Sequence, residues 1–299
     1  MAQFWTKAAS LAELVGRSRG YIHKFVDSHC HIDLLYSRLK LGKDHSYSSF
    51  LTEQTESFPA NYEGCVAVFC YPKTFSANEP DNITLRMAGS TDNVWLAIGC
   101  HPKSATEFTD EHLQGLRSAL QHPKVVALGE IGLDYSGTFS QHAETQKKVM
   151  RSQISLALEL KLPLVIHCRD ADDDCLVILK EMVPHEWPIH RHCFTQDVVT
   201  AHEWLSAFPR LYLGFTPLIT RKTDAVGAVK KAAADVPLDR VLLETDAPYF
   251  VPEGVKNGVK VTHPGFALFT AECLAQLKDI SVDAVLEACR RNTQDMYGV

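Results

Sequence analysis

The side chains best able to do chemistry in this sequence are histidines and carboxylates that follow short apolar segments. His29 and His31 flank Cys30. Because side chains alternate across an extended strand, both imidazoles are expected on one face, where two of them can hold one cation. The residues found in the same kind of position, at or near the end of an apolar run, are His101, Glu130, His167, His192 and Asp246. One such histidine would be an ordinary structural residue, but this many predict a joint metal site.

Two of these side chains are carboxylates with distinct local sequences. Glu130 lies between two glycines, Gly129 and Gly132, and its two oxygens allow it to bridge two cations. Asp246 lies in Glu244-Thr245-Asp246-Ala247-Pro248, and it could both ligate a cation and accept the proton of an attacking water. Alternation puts Glu244 on the same side, one layer deeper, either as a pocket residue or as an interior carboxylate bonded to a neighbour. Imidazoles and carboxylates together suit Zn, Mn or Mg without deciding among them.

The same alternation predicts where three cysteines point. Cys100, Cys168 and Cys193 are each adjacent to one of the candidate histidines, so their side chains are expected on the opposite, outward face. Thiolates are themselves common metal ligands, but outward packing is the simpler interpretation.

Eight apolar segments must position these residues. They are rich in Val, Ile, Leu and Phe, as buried parallel strands require. The segments are Lys24–Ile32, Gly64–Tyr71, Val94–His101, Val125–Leu133, Leu162–His167, Ile189–Phe194, Leu211–Thr216 and Val241–Asp246. Helix-like stretches lie between most of them, and the clearest is Gln141–Lys161. The alternation predicts an α/β protein with a closed (β/α)8 TIM barrel, in which active sites form at the C-terminal ends of the strands.

Domain organisation follows from the absence of any linker or repeat. We expect an N-terminal extension, residues 1–24, followed by one barrel domain, residues 25–299. The extension carries an apolar helical stripe and several basic residues, which resembles a mitochondrial transit peptide. A packed or frayed N-terminal helix is the favoured interpretation. The residues of the stripe are Phe4, Trp5, Leu11, Leu14 and Val15.

Composition excludes several classes of protein. The net charge of −6 and the pI near 6.1 argue against a broad basic surface that wraps duplex DNA, so binding of a nucleic acid would have to be local. No apolar run approaches the roughly 20 residues that cross a bilayer. The nine cysteines form no C-x-x-C pair, which indicates reduced thiols in a cytoplasmic or nuclear protein. The sequence indicates no protein partner.

Taken together, the motifs resemble the TatD family of metal-dependent deoxyribonucleases, within the amidohydrolase-like barrels. They occur in family order over residues 25–298 and look closest to the eukaryotic branch at His190-Arg191-His192-Cys193-Phe194 and at His263-Pro264-Gly265. The matching segments are Asp27 to Asp33, Gly99 to Pro102, Gly129 to Tyr135, Ile166 to Arg169, His192 to Thr195, Gly214 to Thr216, Glu244 to Tyr249, and Asn292-Thr293.

The resemblance implies that the ligands are divided between two cations. Whether a third cation binds is left undecided. One cation is implied at His29, His31, Glu130 and Asp246. The second is implied at Glu130, His167 and His192. The implied activity is hydrolysis of phosphodiester bonds in DNA, often as a 3′→5′ exonuclease, with RNA as substrate in some members.

The roles of side chains in catalysis and substrate binding are hypotheses that build on this resemblance. Asp246 and Glu130 are the predicted catalytic residues, and Asp246 takes the proton of the attacking water. Arg169 directly follows His167, and its planar guanidinium is suited to clamp a phosphate oxygen, although a structural ion pair is the alternative. His101 and Glu244 are predicted to contact substrate. The family usually has Gly where this chain has Gln196, but Asp197 can still cap the next helix.

Two other functions stay open at this point. The same barrel could hydrolyse a lactone, an amide or a small phosphoester, because fold does not fix function. It could also be a catalytically silent binding module. A glutamate on the fourth strand, in place of a lysine that could be carboxylated, favours the nuclease. The complete ligand set argues against the silent barrel. The choice between DNA and RNA is not determined by any motif here.

Overall fold

Eight parallel strands form the centre of the molecule in a computed structural model that describes residues 9–42, 45–75, 93–255 and 259–299. Each strand pairs with the next in chain order, from β1 to β8. The strands are β1 (Phe25–Cys30), β2 (Tyr62–Phe69), β3 (Val94–Ile98), β4 (Val125–Asp134), β5 (Leu164–Arg169), β6 (Ile189–Arg191), β7 (Leu211–Phe215) and β8 (Val241–Leu243). Each lies largely within one of the eight apolar segments, so the predicted (β/α)8 barrel of one domain is confirmed.

The barrel closes between its last strand and its first. Beyond β8, the amide of Asp246 donates to the carbonyl of His29 at 2.9 Å. The amide of His31 donates to the carbonyl of Ala247 at 2.8 Å, and Cys30 and Ala247 form a parallel bridge. This β1–β8 seam therefore joins the backbones of residues predicted to be metal ligands.

Helices cover the outside of the barrel. Those that the described residues form are α1 (Ala9–Ser18), α2 (Ile32–Leu39), α3 (Tyr47–Glu53), α4 (Asp110–Ala119), α5 (Ala143–Leu160), α6 (Asp172–Met182), α7 (Val198–Ala207), α8 (Gly227–Asp235), α9 (Ala267–Lys278) and α10 (Val282–Tyr297). α5 matches the predicted helix Gln141–Lys161 within two residues at each end. α8 begins only at Gly227, because Asp224–Val226 forms a separate 3-10 turn before it.

Local sequence explains how these helices begin, end and pack. In α5, Met150, Ile154 and Ala157 repeat at helical spacing and are buried against the strands. Asp197 caps α7 as predicted, since its carboxylate accepts the amide of Thr200 at 3.0 Å. Ser281 caps α10 in the same way.

The described part of the predicted N-terminal extension is a packed helix. Leu11 and Leu14 of α1 are buried. Arg17 forms an ion pair of 2.8 Å with Glu272 of α9. Phe4 and Trp5 lie outside the described residues. No helix in the described ranges is long and apolar enough to cross a membrane.

Candidate active site

Glu130 on β4 is the centre of the cluster that the strands assemble. Its Oε2 lies 3.3 Å from His29 Nε2 and 3.5 Å from His31 Nε2. Its Oε1 lies 2.9 Å from His167 Nδ1 and 3.2 Å from His192 Nε2. One buried carboxylate therefore faces two groups of imidazoles, one group at each oxygen.

Asp246 completes the first group. Its Oδ1 lies 3.2 Å from His31 Nε2 and 3.9 Å from His29 Nε2. The backbone at Asp246 is left-handed, with φ of 50°, and its amide is held by the carbonyl of His29 across the seam. The turn after β8 thus brings this carboxylate over the end of β1.

The arrangement fits divalent cations. His31 Nδ1 lies 3.2 Å from the carbonyl of Val68, which fixes the ring proton on Nδ1 and turns the Nε2 lone pair toward Glu130 and Asp246. The buried Glu130 Oε2 has no hydrogen-bond donor within the described part of the chain. Imidazole and carboxylate lone pairs that face one another with no proton between them repel. A positive charge between these atoms would remove that repulsion. His29, His31 and Glu130 form one group of ligand atoms within 4.8 Å of one another, and Glu130, His167 and His192 form another.

The electrostatics of Glu130 agree with that geometry. Burial alone would raise the pKa of its carboxyl, but the neighbouring His192 and His101 outweigh burial and hold the pKa well below its usual range. The carboxylate is therefore ionised and has both oxygens available as acceptors.

Asp134, four residues further along β4, orients one of the histidines. Its Oδ2 lies 3.0 Å from His167 Nε2, so His167 has one nitrogen on Asp134 and the other on Glu130. Lys103 reaches the same oxygen at 3.2 Å. Such an outer carboxylate fixes the tautomer and orientation of a ligand imidazole. The sequence reasoning missed Asp134, although strand alternation places it on the same face as Glu130.

The ring proton of His101 is on a different nitrogen from that of His31. Its Nδ1 accepts the amide of Lys103 at 3.0 Å, so the neutral ring carries its proton on Nε2. That nitrogen lies 3.3 Å from Glu130 Oε1. Burial lowers the pKa of His101, which favours the neutral form. The side chain is therefore placed as a hydrogen-bond donor at the site.

Glu244 lies beneath the ligands rather than on the wall of the site. It is fully buried and accepts the amide of Cys193. Its Oε2 is 3.0 Å from His190 Nε2, and His190 Nδ1 is 2.6 Å from the hydroxyl of Tyr297. A Cβ on Gly214 would come within 2.4 Å of both Glu244 and His190, so only glycine leaves room for the pair. This position does not suit the predicted contact with substrate. It suits the other interpretation, an interior carboxylate, and burial raises the pKa of Glu244 to about 8.

His190 and Tyr297 were also missed from the sequence. His190 precedes His192 by two residues in the same apolar segment, which is a usable signal for one face. Tyr297 is the last residue of α10, and nothing in the sequence connects it to the site.

A cavity of about 290 Å³ opens above Glu130. Arg169 borders it as predicted, and its side chain is exposed. The residues that line the cavity are His31, Leu34, Cys70, Tyr71, His101, Lys103, Glu130, Asp134, His167, Cys168, Arg169, Arg191, His192, Cys193, Asp246, Tyr249 and Phe250.

One cysteine departs from its predicted outward position. Cys193 borders the cavity, whereas Cys100 does not line it. Cys168 also borders the cavity, but its thiol lies beside that of Cys175 on the outer helix α6, as predicted. At Cys193 the reason is local, because β6 ends at Arg191 and the backbone at Cys193 is left-handed, with φ of 47°. Strand alternation therefore no longer applies there.

Comparison with known proteins identifies the family. The family described as TatD related DNase matches residues 26–298, nearly the whole barrel. The chain belongs to the TatD-related DNase family. The resemblance inferred from the motifs is confirmed, and the family places the chain among metal-dependent hydrolases, with His, Glu and Asp clusters able to bind metal.

Individual relatives share both sequence and fold with this TatD-family chain. Human TATDN2, a 3′-5′ RNA nuclease, is 40% identical over 276 residues, which cover 92% of this chain but only 35% of the human protein. YabD of Bacillus subtilis, an uncharacterized metal-dependent hydrolase, is 34% identical over 215 residues, 72% of this chain and 82% of YabD. The crystal structure of YJJV, a TatD homologue of Escherichia coli, superposes with a TM-score of 0.77 and 26% identity over 92% of this chain and 98% of that chain.

Proposed function

We propose that this protein is a metal-dependent nuclease that hydrolyses phosphodiester bonds of DNA or RNA and removes nucleotides from the 3′ end. The observation that carries the proposal is Glu130, one carboxylate shared by two groups of imidazoles. Two metals bridged in this manner serve in-line displacement at phosphorus in nucleases and phosphatases. The family description supports DNA as substrate, and the human relative supports RNA and the 3′-5′ direction.

The ligand assignment is part of the proposal. His29, His31, Glu130 and Asp246 would hold one divalent cation, and Glu130, His167 and His192 would hold the second. Bound there, Zn²⁺, Mn²⁺ or Mg²⁺ would supply an acidified water and neutralise charge on the phosphate. A third cation has a weaker basis, the group formed by His29, His192 and Glu244.

The protein's own side chains divide the remaining work. Asp246 points an oxygen into the cavity and accepts the proton of the attacking water. Its side chain keeps 13% of its surface exposed, whereas Glu130 keeps 3%, so Asp246 is the carboxylate that water reaches. Arg169 binds a phosphate oxygen through its guanidinium. His101 donates a hydrogen bond from Nε2 to the phosphate or to the leaving oxygen.

A cleavage assay tests the function. Oligonucleotides of DNA and RNA, single- and double-stranded, labelled at the 5′ end, are incubated with Mg²⁺, Mn²⁺ or Zn²⁺. We expect a ladder of products shortened from the 3′ end, abolished by a chelator and restored by metal. Turnover of lactones, amides or small phosphoesters with intact oligonucleotides would overturn the proposal. If the metal-loaded protein turns over none of these substrates, the result would instead support a catalytically silent binding barrel.

The compartment is also a proposal. All nine cysteines are free, and eight of them are buried. Reduced thiols in that number support the cytoplasm or the nucleus.

A further inference from the structure

We propose that Glu244 is a positioning residue shared by both cation sites, and that its carboxylate accepts the ring N–H of one ligand histidine from each site. The two histidines are His29 of the first site and His192 of the second. The inference rests on the proposed function, because it takes the ligand assignment made there. It goes beyond that function by naming the group that links the two sites from beneath.

The rings of His29 and His192 lie side by side. Their centroids are 3.9 Å apart, and their planes differ by 8°. The Nε2 atoms of both rings face Glu130, one at 3.3 Å from Oε2 and the other at 3.2 Å from Oε1. When each Nε2 is a cation ligand, each neutral ring carries its proton on Nδ1. Both rings therefore present an N–H donor on the nitrogen that does not bind the cation.

Three polar atoms of this region lack a hydrogen-bond partner among the described residues. They are His29 Nδ1, His192 Nδ1 and Glu244 Oε2, and all three are buried. His190 Nε2 is 3.0 Å from that oxygen but is not aligned for a hydrogen bond. Ligand atoms of His29, His192 and Glu244 lie within 4.8 Å of one another. Because buried polar groups in native proteins are nearly always paired, we expect both N–H groups to donate to the carboxylate once cations hold the rings.

Protons on the two Nδ1 atoms also bear on the third cation. A ring nitrogen that carries a proton has no lone pair for a metal. The group formed by His29, His192 and Glu244 therefore suits two donors and one acceptor better than a cation.

The carboxylate of Glu244 is held in place by the strands around it. Its Oε1 accepts the amide of Cys193, which directly follows His192. The amide of Glu244 donates to the carbonyl of Phe215 at 3.2 Å. Gly214 leaves the space that the carboxylate occupies. Glu244 thus fixes the backbone beside His192 as well as the ring.

Electrostatics favour the same pairing. Burial raises the pKa of Glu244 to about 8, and His29 is the strongest influence in the opposite direction. The carboxylate in turn increases the basicity of both ligand rings. Loss of Glu244 should therefore weaken both cation sites. Loss of Asp134, which among the ligand histidines pairs with His167, should weaken only the second site.

Binding of Co²⁺ tests this role without any nucleic acid, and isothermal titration calorimetry gives the Kd of each site. Glu244→Gln keeps the shape of the side chain but places an NH₂ donor against the two ring donors. It should weaken both sites by about 10- to 100-fold. Asp134→Asn should weaken one site by a similar factor. Glu203→Gln, the same chemical change at an exposed residue of α7, is the control and should bind Co²⁺ as the wild type does.

Proton NMR of the Co²⁺-loaded protein identifies the affected histidines, because the paramagnetic ion shifts the ring N–H signals of its ligands away from all others. Four exchangeable signals are expected in the wild type, one from each of His29, His31, His167 and His192. Glu244→Gln should shift or abolish two of them, and Asp134→Asn should affect one of the other two. A change in none of the signals, in only one or in all four for Glu244→Gln would overturn the shared role.

Urea unfolding distinguishes positioning from a purely structural role. In metal-free protein, Glu244→Gln removes a buried ionisable group and keeps its shape, so its unfolding midpoint should be no lower than that of the wild type. A lower midpoint with unchanged Co²⁺ affinity would show a structural role alone and overturn the proposal. If midpoint and affinity both fall, the NMR pattern decides, because a general loss of structure would change all four signals.

The results also separate this proposal from the nuclease function. If Glu244→Gln gives the expected affinities and NMR pattern but the wild type cleaves no phosphodiester with any metal, the proposed function fails and the role of Glu244 stands. If the wild type cleaves and Glu244→Gln binds both Co²⁺ ions with wild-type affinity, the role of Glu244 fails and the function stands.

Discussion

At the scale of single residues, proton transfer and phosphate binding are placed on different side chains. Asp246 is close to two imidazoles and faces the cavity, whereas Arg169 is exposed at the cavity edge. Substitutions at the two positions should therefore change different kinetic constants.

Replacement of Asp246 by Asn should lower kcat by at least about 100-fold, because Asn keeps one ligating oxygen but cannot accept a proton. Metal content is measured in the same preparation, since loss of metal would imitate loss of the base. Arg169→Ala is the comparison, and it should mainly raise KM. A metal-replete Asp246→Asn enzyme with near-normal turnover would show that another group accepts the proton.

Replacement of Asp134 by Asn should weaken metal binding or activity by roughly 10- to 100-fold, because the amide no longer fixes the His167 tautomer. Metal affinity is measured by competition with a chromophoric chelator. Asp173→Asn, at the start of α6, is the matched control. Equal metal affinity and equal activity in Asp134→Asn and wild type would contradict an orienting role.

The sequence predicted the cluster of His, Glu and Asp side chains more completely than its surroundings. His29, Glu130 and Asp246 were predictable because each lies at or near the end of a buried run, and such runs end at one edge of a parallel barrel. Asp134 and His190 follow the same alternation but lie beside stronger candidates. Tyr297 could not be found, since its contact with His190 spans 107 positions and depends on how α10 packs.

At the scale of elements, β4 and β5 lie unusually close at Gly132. Its φ is 144°, and a Cβ there would come 1.9 Å from the carbonyl oxygen of His167. Gly132→Ala should therefore reduce the free energy of unfolding by at least about 2 kcal/mol. Gly137→Ala is the control, because it also has a positive φ but open space around it, and should cost about 1 kcal/mol. Urea unfolding followed by circular dichroism measures both, and equal losses would refute the steric argument.

His263, just before α9, should make stability depend on pH. Its ring is fully buried between Phe58 and Phe266, with centroids 4.2 Å away in both cases. Burial holds the pKa of His263 well below the ordinary 6.5. As pH falls below 6.5, the unfolded chain takes up a proton that the native state refuses, so the free energy of unfolding decreases. The contribution is complete above that pH and is lost progressively below it.

The size of that effect can be isolated with one variant. Between pH 7 and pH 5.5 the wild type should lose about 1 kcal/mol more stability than His263→Gln, which cannot titrate. Parallel stability curves for the two proteins would show that the pKa of His263 does not differ between the native and unfolded states. The other histidines are common to both proteins and cancel in the difference.

The sequence predicted where each strand lies but not where each strand ends. Apolar runs located every strand, because burial on both faces demands them. The runs overshot β6 and β8, which end at Arg191 and Leu243. Beyond those points the backbone turns to present His192 and Asp246, and the alternation that predicted the direction of Cys193 fails there.

At the scale of the whole molecule, an acidic chain must bind an acidic polymer. Among the described residues, the cations around the cavity that are not buried are few, namely Arg38, Lys73, Lys103, Arg169 and Arg221. Arg191 also lines the cavity, but it is buried and donates to backbone carbonyls. For a single strand, log Kd should therefore change with log salt with a slope no greater than about 3.5, the value for five phosphate contacts. Anisotropy titrations at several salt concentrations measure the slope. A slope near 7, for ten contacts, would reveal a basic track outside the cavity.

The β1–β8 seam has a consequence for how the enzyme matures. Its hydrogen bonds join His29 to Asp246 and His31 to Ala247, from opposite ends of the barrel sequence. The contacts most distant along the chain are generally the slowest to form, so the ligand set exists only once the barrel has closed. A cation bound there would link the first strand to the last and favour the closed barrel by mass action. Metal binding would then be the last step of folding. Without metal, the barrel would open more readily between β1 and β8.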